Sequence, residues 1–275
     1  MTNFSISNNL YTQLPKDSGI NLYQFNGLDI PFNPEWKKIG INLSGGADSS
    51  CLLTLLCNII VENNIDCEVH AISHVRCWDG RPWQGPIALD VYHKFIADYP
   101  TIKFFRHTNF IPPELEWGVI GPITTDENGR PRSGDQIAVG SYNKYIMFKE
   151  KFDSVFNATS ANPEGSNWVG GMKNREKPAS EGELKDLILI KKRHSLCHPF
   201  RFVDKSWIVR QYHKQNKIDL YNMTRSCEGD LTNNIIKAVV PDLESYDPSV
   251  HTVDKLPKCG ECWWCKERAW AEANV

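Results

Sequence analysis

The feature that most constrains the fold is a short apolar segment, followed at once by a glycine-rich turn and then by a longer apolar segment. Residues 38–43 (KIGINL) are typical of a buried β-strand, and residues 49–61 (SSCLLTLLCNIIV) have the length and leucine content of a helix. A strand that runs through a tight turn into a helix is the repeating unit of parallel α/β sheets. This unit predicts an α/β fold.

The turn between these two segments, residues 44–49, is called the glycine loop below. Its residues are Ser44, Gly45, Gly46, Ala47, Asp48 and Ser49. Glycines without side chains let backbone N–H groups approach an anion, and the N-terminus of the following helix adds positive potential. Ser44 and Ser49 can donate hydroxyl hydrogen bonds, and Asp48 can hold Mg²⁺ or cap the helix. The loop predicts a phosphate site, whereas a bare glycine pair would indicate only a turn.

Two widespread phosphate motifs are absent from the glycine loop. No lysine follows the glycines, so the loop is not a G-x-x-x-x-G-K-[ST] sequence. It also lacks the G-x-G-x-x-G pattern of dinucleotide-binding folds. The site is therefore expected to bind phosphate in a different way from both classes.

The middle of the chain alternates between strand and helix patterns. Strands are predicted at residues 68–75, 102–106 and 154–159, and helices at 87–99, 137–151 and 206–216, the last N-capped near Asp204. This alternation predicts a doubly wound parallel sheet of the Rossmann-like class. Two long segments rich in turn residues, 111–135 and 160–182, are expected to be functional or mobile loops.

The two ends of the chain differ from this middle. Residues 1–36 predict an irregular arm with a short strand at 22–25, residues 37–225 the nucleotide-binding α/β domain, and residues 226–275 a small metal-binding region. No apolar run reaches the ~18 residues that span a bilayer, and residues 1–10 do not resemble a secretory signal. We therefore expect a cytoplasmic protein without a membrane partner. The net charge of -2 indicates no general attraction to nucleic acid.

Three of the nine cysteines lie within seven residues near the C-terminus: Cys259, Cys262 and Cys265. Two-residue spacing lets a turn direct neighbouring sulfurs at one ion, and Zn²⁺ takes four such ligands. Cys227 is the predicted fourth ligand, with Cys197 and His198 as alternatives. Buried free thiols are common in proteins, but this spacing makes them the weaker interpretation. Four thiolates leave no open position, so the predicted Zn²⁺ site is structural.

The glycine loop resembles the PP-loop of the ATP pyrophosphatases, which include GMP synthetase, asparagine synthetase and tRNA-lysidine synthetase. The resemblance implies an adenine nucleotide alpha-hydrolase-like fold in which the loop holds the β,γ-pyrophosphate of ATP with Mg²⁺. A substrate oxygen is adenylated, and a nitrogen or sulfur nucleophile then displaces AMP. The resemblance implies catalytic roles for Asp48 and Ser49, and it places the adenine near Ser73, His74 and Val75.

Two further segments narrow the resemblance to the 7-cyano-7-deazaguanine synthases. Residues 224–227 (TRSC) and 259–268 (CGECWWCKER) are similar to that family's T-x-S-C and C-G-x-C-x-x-C-x-x-R motifs. His198-Pro199-Phe200 followed by Lys205 resembles its proline-and-lysine segment. The resemblance implies an ATP-dependent C–N ligase that adenylates a carboxylate on a deazapurine-like base for attack by ammonia or another amine.

The same family comparison leaves the acceptor open, because two segments depart from the family's pattern. Residues 228–258 form a long insert between the first cysteine and the other three, and residues 157–164 lack the family's base-binding G-x-N-x-x-D and Y-P-D-C sequences. Modification of RNA or of a protein by the same adenylation step is one alternative. A nucleotide-binding module without catalysis is another, and a homodimer is possible.

Basic and aromatic residues add two further expectations. Lys173, Arg175 and Lys177 lie in the 160–182 loop, where a basic lid could neutralise the leaving pyrophosphate, and Lys173 is the catalytic candidate. A solvated loop is the competing interpretation. Trp263 and Trp264 are expected to cover the metal site.

Overall fold

The computed structural model describes residues 19–76, 84–111, 124–125, 131–132, 134–163, 175, 188–191, 194–227 and 258–275. Its strands in chain order are β1 (Asn21–Phe25), β2 (Leu28–Phe32), β3 (Lys38–Asn42), β4 (Glu68–Arg76), β5 (Phe104–Ile111), β6 (Thr124–Thr125), β7 (Pro131–Arg132), β8 (Ser154–Phe156), β9 (Ile188–Lys191) and β10 (His194–Cys197). Its helices are α1 (Ala47–Glu62), α2 (Gln84–Asp98), α3 (Gly134–Glu150), α4 (Lys205–Lys214), α5 (Ile218–Met223) and α6 (Trp263–Ala273).

The core of the fold is a six-stranded sheet in the order β5-β4-β3-β8-β10-β9. The first five strands in this order are parallel, and β9 pairs antiparallel with β10 at the edge. The chain runs from β3 outward through β4 to β5, and then returns to the other side of β3 as β8. The predicted doubly wound parallel sheet is confirmed. The strand order reverses between β3 and β8, and such a switch point forms a crevice at the carboxyl ends of the strands.

Helices cover both faces of this sheet. The helix α1 is buried along most of its length, because it contacts β3 on one side and both α4 and α5 on the other. On the opposite face, Ile146 of α3 packs with Ile72, Phe152 and Val155 in a second, smaller cluster. Because both faces of the sheet are covered, the central strand β3 buries the three consecutive residues Ile39, Gly40 and Ile41.

The N-terminal residues are more regular than the sequence predicted. Strands β1 and β2 form an antiparallel hairpin, and Ile30 and Phe32 of β2 are fully buried within the main core. Asn26 and Gly27 join the strands with φ values of 48° and 83°. Both central residues of a type I′ turn need positive φ, and Asn-Gly is its preferred sequence. The short strand predicted at 22–25 is confirmed as β1, whereas the prediction of an irregular arm is wrong for β2.

The other predicted elements agree with the structure to within a few residues, and some elements were missed. The strand at 102–106 is instead β5, which extends to Ile111, and the strand at 154–159 ends at Phe156. Asp204 caps α4 as predicted, since its carboxylate accepts hydrogen bonds from the Ser206 and Trp207 amides. The sequence analysis did not predict β2, β9, β10, α5 or α6. Among the described residues, no helix is long and apolar enough to cross a membrane.

Candidate nucleotide site and metal centre

The glycine loop lies at the switch point, directly after β3. Gly45 has a φ of 73°, and Gly46 is the N-cap of α1. The Ser49 hydroxyl donates to the Gly46 carbonyl at 3.1 Å and accepts from the Ser44 amide at 3.2 Å. The serine hydroxyls therefore hold the shape of the loop. The N–H groups of a helix's first turn have no partners within the helix, so this N-terminus can receive an anion.

A cavity of about 200 Å³ opens above this loop. Its wall combines the glycine loop, residues 157–160 after β8, the first residue of α4, residues 225–226 and Trp264 of α6. Together with Gln84 of α2 and Arg175, six separate parts of the chain therefore meet the loop at one place. Such a polar crevice at the switch point of a parallel sheet is the usual ligand site of this architecture.

Asp48 does not cap α1 but faces a buried lysine. Its carboxylate forms an ion pair with the Lys205 ammonium group and accepts a hydrogen bond from the Ser160 hydroxyl at 2.9 Å. Only 2% of Lys205 is exposed. Lys205 is the first residue of α4, so the Asp204 cap fixes its backbone beside the cavity. The fold thus brings to the loop the lysine that the loop's own sequence lacks.

Two further buried charges complete this cluster. The Glu267 carboxylate of α6 lies 2.5 Å from a terminal guanidinium nitrogen of Arg175 and 3.7 Å from the Lys205 nitrogen. Arg175 also donates from Nε to the Ser160 carbonyl at 2.7 Å. Buried charges are tolerated when they are paired in this way. Asp48, Ser160, Arg175, Lys205 and Glu267 form what is called the ionic cluster below.

The segment before Cys227 also touches the glycine loop. The Arg225 amide donates to the Gly45 carbonyl at 3.0 Å, and Ser226 lies beside Gly46. Arg225 is 4% exposed and lines the cavity. Arg225 is a third cationic residue of the cavity wall, after Lys205 and Arg175. The sequence analysis matched this segment to a motif without assigning a function to Arg225.

The predicted adenine contacts are not part of the cavity wall. The Ser73 hydroxyl donates to the Leu43 carbonyl at 3.0 Å, and Val75 packs against Gly85. The His74 ring contacts Asn42 at 3.3 Å and Asn109 at 3.0 Å. These side chains therefore serve contacts between neighbouring elements, and adenine binding near residues 73–75 stays a prediction.

The proposed basic lid is only partly visible. Lys173 and Lys177 lie outside the described residues. Arg175 is buried in the ionic cluster, with its guanidinium 4.8 Å from the Trp263 ring centre and 5.4 Å from that of Trp264. Arg175 is therefore not an exposed lid residue. The two tryptophans, expected to cover the metal site, pack on this arginine, and Trp264 reaches the cavity.

The four predicted metal ligands come together. The sulfurs of Cys227, Cys259, Cys262 and Cys265 all lie within 4.8 Å of one another. Cys259 lies 3.5 Å from Cys227 and 3.9 Å from Cys265, sulfur to sulfur. Four thiolates about 2.3 Å from one tetrahedral ion are separated by about 3.8 Å. The donor set therefore fits a single tetrahedral metal ion, with Cys227 as the fourth ligand.

The alternative ligands, Cys197 and His198, lie outside this group. The Cys197 sulfur is fully buried 3.3 Å from the Ser154 hydroxyl, and burial raises the pKa of this thiol to about 12. Burial, and secondarily the Arg201 guanidinium, lowers the pKa of His198 to about 4. Cys197 is therefore a neutral thiol in the core at the end of β10, and the half-buried His198 follows it.

The lowered pKa of His198 predicts an acid-sensitive fold. The unfolded chain takes up this proton near pH 6.5 and the folded chain only near pH 4, so protonation favours unfolding between these values. We expect His198→Gln to remove up to about 3 kcal/mol from the stability loss over this range. Urea unfolding of wild type and His198→Gln at pH 7, 5.5 and 4.5 measures the unfolding free energy that each protein loses on acidification. His93→Gln, an exposed control on α2, should keep the wild-type pH dependence.

The backbone of the glycine loop predicts a second effect. A Cβ at Gly45 would lie 2.8 Å from the Ala88 amide nitrogen, and its φ of 73° disfavours any side chain. We expect Gly45→Ala to cost at least about 1–2 kcal/mol in unfolding free energy and to disturb the loop. Gly140→Ala on α3 is the control, since its Cβ meets open space and alanine favours helix by about 1 kcal/mol. Equal stability of the two variants would contradict the expectation.

Comparisons with known proteins give likenesses to solved structures alone. No protein-family model matches the chain, and no curated protein matches it. Among solved structures, the chain is similar to a U34-tRNA thiolase, NcsA from Methanococcus maripaludis, solved with its [4Fe-4S] cluster. The TM-score is 0.41 with 16% sequence identity over 66% of this chain. The matched region spans 57% of the thiolase chain.

Proposed function

We propose that this chain is an ATP-dependent, AMP-forming enzyme of the PP-loop type. The observation that carries the proposal is the junction of the glycine loop with Lys205 and Asp48 at the switch point of the sheet. A helix N-terminus, a buried lysine and two buried arginines there surround one cavity. This arrangement suits the negative charge of a triphosphate, and no motif for a different phosphate chemistry is present in the loop.

In the proposed first step, a substrate oxygen attacks the α-phosphorus of ATP. The bond between this phosphorus and the β-phosphate oxygen breaks, and pyrophosphate leaves with the electron pair. The α1 N-terminus and Lys205 stabilise charge on the phosphate oxygens, and Arg225 is placed to add to this effect. Asp48 is the residue that would hold Mg²⁺, which supplies charge neutralisation between phosphates when bound. In the second step a nitrogen nucleophile displaces AMP.

For the acceptor we propose a carboxylate on a deazapurine-like base, with ammonia or another amine as nitrogen donor. The support is the similarity of residues 224–227 and 259–268 to the 7-cyano-7-deazaguanine synthases, together with the position of both segments at the cavity. Asn157 and Thr159 line the wall beside Trp264. An amide, a hydroxyl and an indole ring are groups that hold a planar polar base by hydrogen bonds and stacking.

For the metal centre we propose Zn²⁺. Sulfurs 3.5 and 3.9 Å apart suit four bonds to one ion. In an iron–sulfur cubane each thiolate binds a different iron, so the sulfurs are spread more widely. Four thiolates close the coordination shell, which gives this metal a structural task rather than a place in the reaction.

Incubation with ATP, Mg²⁺, ammonia and 7-carboxy-7-deazaguanine tests the proposal. We expect AMP, pyrophosphate and a deazaguanine amide or nitrile by mass spectrometry. Asp48→Asn should lower AMP formation at least ~100-fold, because the variant loses its Mg²⁺ ligand and its ion pair with Lys205. Asp66→Asn, at an exposed carboxylate, should leave the rate unchanged.

Four results would contradict parts of this scheme. AMP without a modified base would remove the deazapurine acceptor, and AMP that appears only with added RNA or protein would favour a macromolecular one. Nucleotide binding without AMP under every condition would indicate a binding module. A folded Asp48→Asn variant with full AMP formation would remove the assigned role of this residue.

A further inference from the structure

The helix α6 belongs to both the metal centre and the ionic cluster. Its N-cap is Cys262, and Cys265 is its third residue, so two of the four sulfurs lie at its first turn. Glu267 follows two residues later and is fully buried in contact with Arg175 and Lys205. A rigid helical turn therefore connects the metal ligands to the charges beside the nucleotide cavity.

A second connection runs through the segment before Cys227. Arg268 of α6 donates to the Thr224 carbonyl at 2.8 Å and to the Tyr221 carbonyl at 3.1 Å. The next residue, Arg225, donates its amide to the Gly45 carbonyl in the glycine loop. Cys227, two residues further on, is itself one of the four sulfur ligands. The segment 224–227 therefore contacts the glycine loop through Arg225, carries one of the four sulfurs, and is held by the helix that carries two others.

Glu267 is the residue in these connections whose position matters most. A buried carboxylate is costly unless it is paired. Arg175 holds one oxygen of Glu267 by a hydrogen bond, and the Lys205 ammonium lies 3.7 Å from the other. Lys205 is shared between this carboxylate and Asp48. A shift of α6 would therefore redistribute Lys205 and Arg175 around Asp48 and alter the charges that face the cavity.

We propose that metal binding at the four cysteines and nucleotide binding at the glycine loop are energetically coupled, with Glu267 as the positioning residue that transmits the coupling. The inference rests on the proposed function in one respect, that the loop binds ATP. By thermodynamic reciprocity, each ligand tightens the other by the same factor. The metal centre is then a determinant of nucleotide affinity as well as an anchor for the C-terminal residues.

A ratio of nucleotide affinities separates this proposal from simple electrostatics. Removal of the Glu267 charge by Glu267→Gln takes a negative group away from an anion site, so charge alone would strengthen nucleotide binding. Coupling is instead a ratio, the nucleotide affinity of the Zn²⁺-loaded chain divided by that of the metal-free chain. A change of background charge alters both affinities, whereas loss of positioning alters their ratio.

Calorimetry with α,β-methylene-ATP and Mg²⁺ measures this ratio in the full chain. For the wild type we expect Zn²⁺ to tighten the analogue at least about fivefold, the lower end of typical coupling. Competition with a chromophoric chelator should show the analogue tightening Zn²⁺ equally. Glu267→Gln should still bind one Zn²⁺, but with a ratio within about twofold of one. Lys266→Gln, its exposed neighbour on α6, should keep the wild-type ratio.

Hydrogen exchange in the Zn²⁺-loaded proteins covers the case in which the metal-free chain does not fold. The analogue should slow exchange of the α6 amides at least about threefold in wild type and Lys266→Gln, and leave them unchanged in Glu267→Gln. Independent binding of the two ligands in wild type, or full coupling in Glu267→Gln, would overturn this inference and leave the proposed function intact. Failure of Zn²⁺-loaded wild type to bind the analogue would overturn the proposed function as well.

Discussion

Lys205→Met is expected to lower the rate of AMP formation at least ~100-fold, a typical loss when one charged group that stabilises a transition state is removed. Methionine keeps the length and apolar stem of the side chain and removes only the ammonium group. Without it, Asp48 loses its ion-pair partner and the cavity loses a buried cation next to the glycine loop. Single-turnover measurement of AMP release at saturating ATP gives the rate of the chemical step.

The stability of this variant requires its own control, because a buried carboxylate without its partner can cost about 3–5 kcal/mol. The double variant Lys205→Met/Asp48→Asn removes both charges of the ion pair, and we expect it to regain stability without regaining activity. Lys214→Met removes an exposed ammonium from the same helix and should leave AMP formation unchanged. Activity recovered in the double variant would show that Lys205 acts only on folding.

Loss of the proposed Zn²⁺ is expected to have the largest effect on stability. Apparent binding energies of structural Zn²⁺ sites reach about 10–16 kcal/mol, and part of that energy holds the folded state. In this chain the four sulfurs attach α6 to the segment that ends at Cys227. We expect Cys259→Ser to lose stoichiometric Zn²⁺, to lower the unfolding free energy by several kcal/mol and to expose α6 to protease.

Metal analysis, thermal unfolding and limited proteolysis followed by mass spectrometry measure these three effects. Cys67→Ser is the matched control, since Cys67 is a buried thiol at the start of β4, outside the four-sulfur group. It should keep one Zn²⁺ per chain. A metal-free Cys259→Ser chain with wild-type stability and an uncut α6 would contradict the structural task of the metal.

The parts of the site that could be predicted are those whose residues are close together in the sequence. The glycine loop is a contiguous strand–turn–helix, and its identification needed only residues 38–61. The Cys259, Cys262 and Cys265 spacing likewise indicated a shared ion. The choice of Cys227 over Cys197 came from the resemblance to a motif, and the four sulfurs within 4.8 Å agree with it. The Asn-Gly turn of the first hairpin is also readable in the sequence, since Asn-Gly is the preferred pair of a type I′ turn.

The ionic cluster could not be predicted, because its members are far apart along the chain. Asp48 and Lys205 are 157 residues apart, and Arg175 and Glu267 are 92 residues apart. Nothing in the local sequence distinguishes a buried Arg175 from a solvated basic residue. The sequence alone therefore favours a place for Arg175 in a basic lid. A buried charge has a recognisable partner only after the fold has placed the two side chains together.

The sequence by itself determined the α/β class, the strand–turn–helix unit of the glycine loop and the spacing of the C-terminal cysteines, since each depends on short-range order that fixes backbone geometry. Only the tertiary structure decided which cationic side chains lie beside the glycine loop and how α6, which carries two of the four cysteines near its N-terminus, packs against the cavity. Strand order brings α4, residues 157–160 and α6 to one crevice at the switch point. That convergence follows from packing on both faces of the sheet, a property of the whole chain.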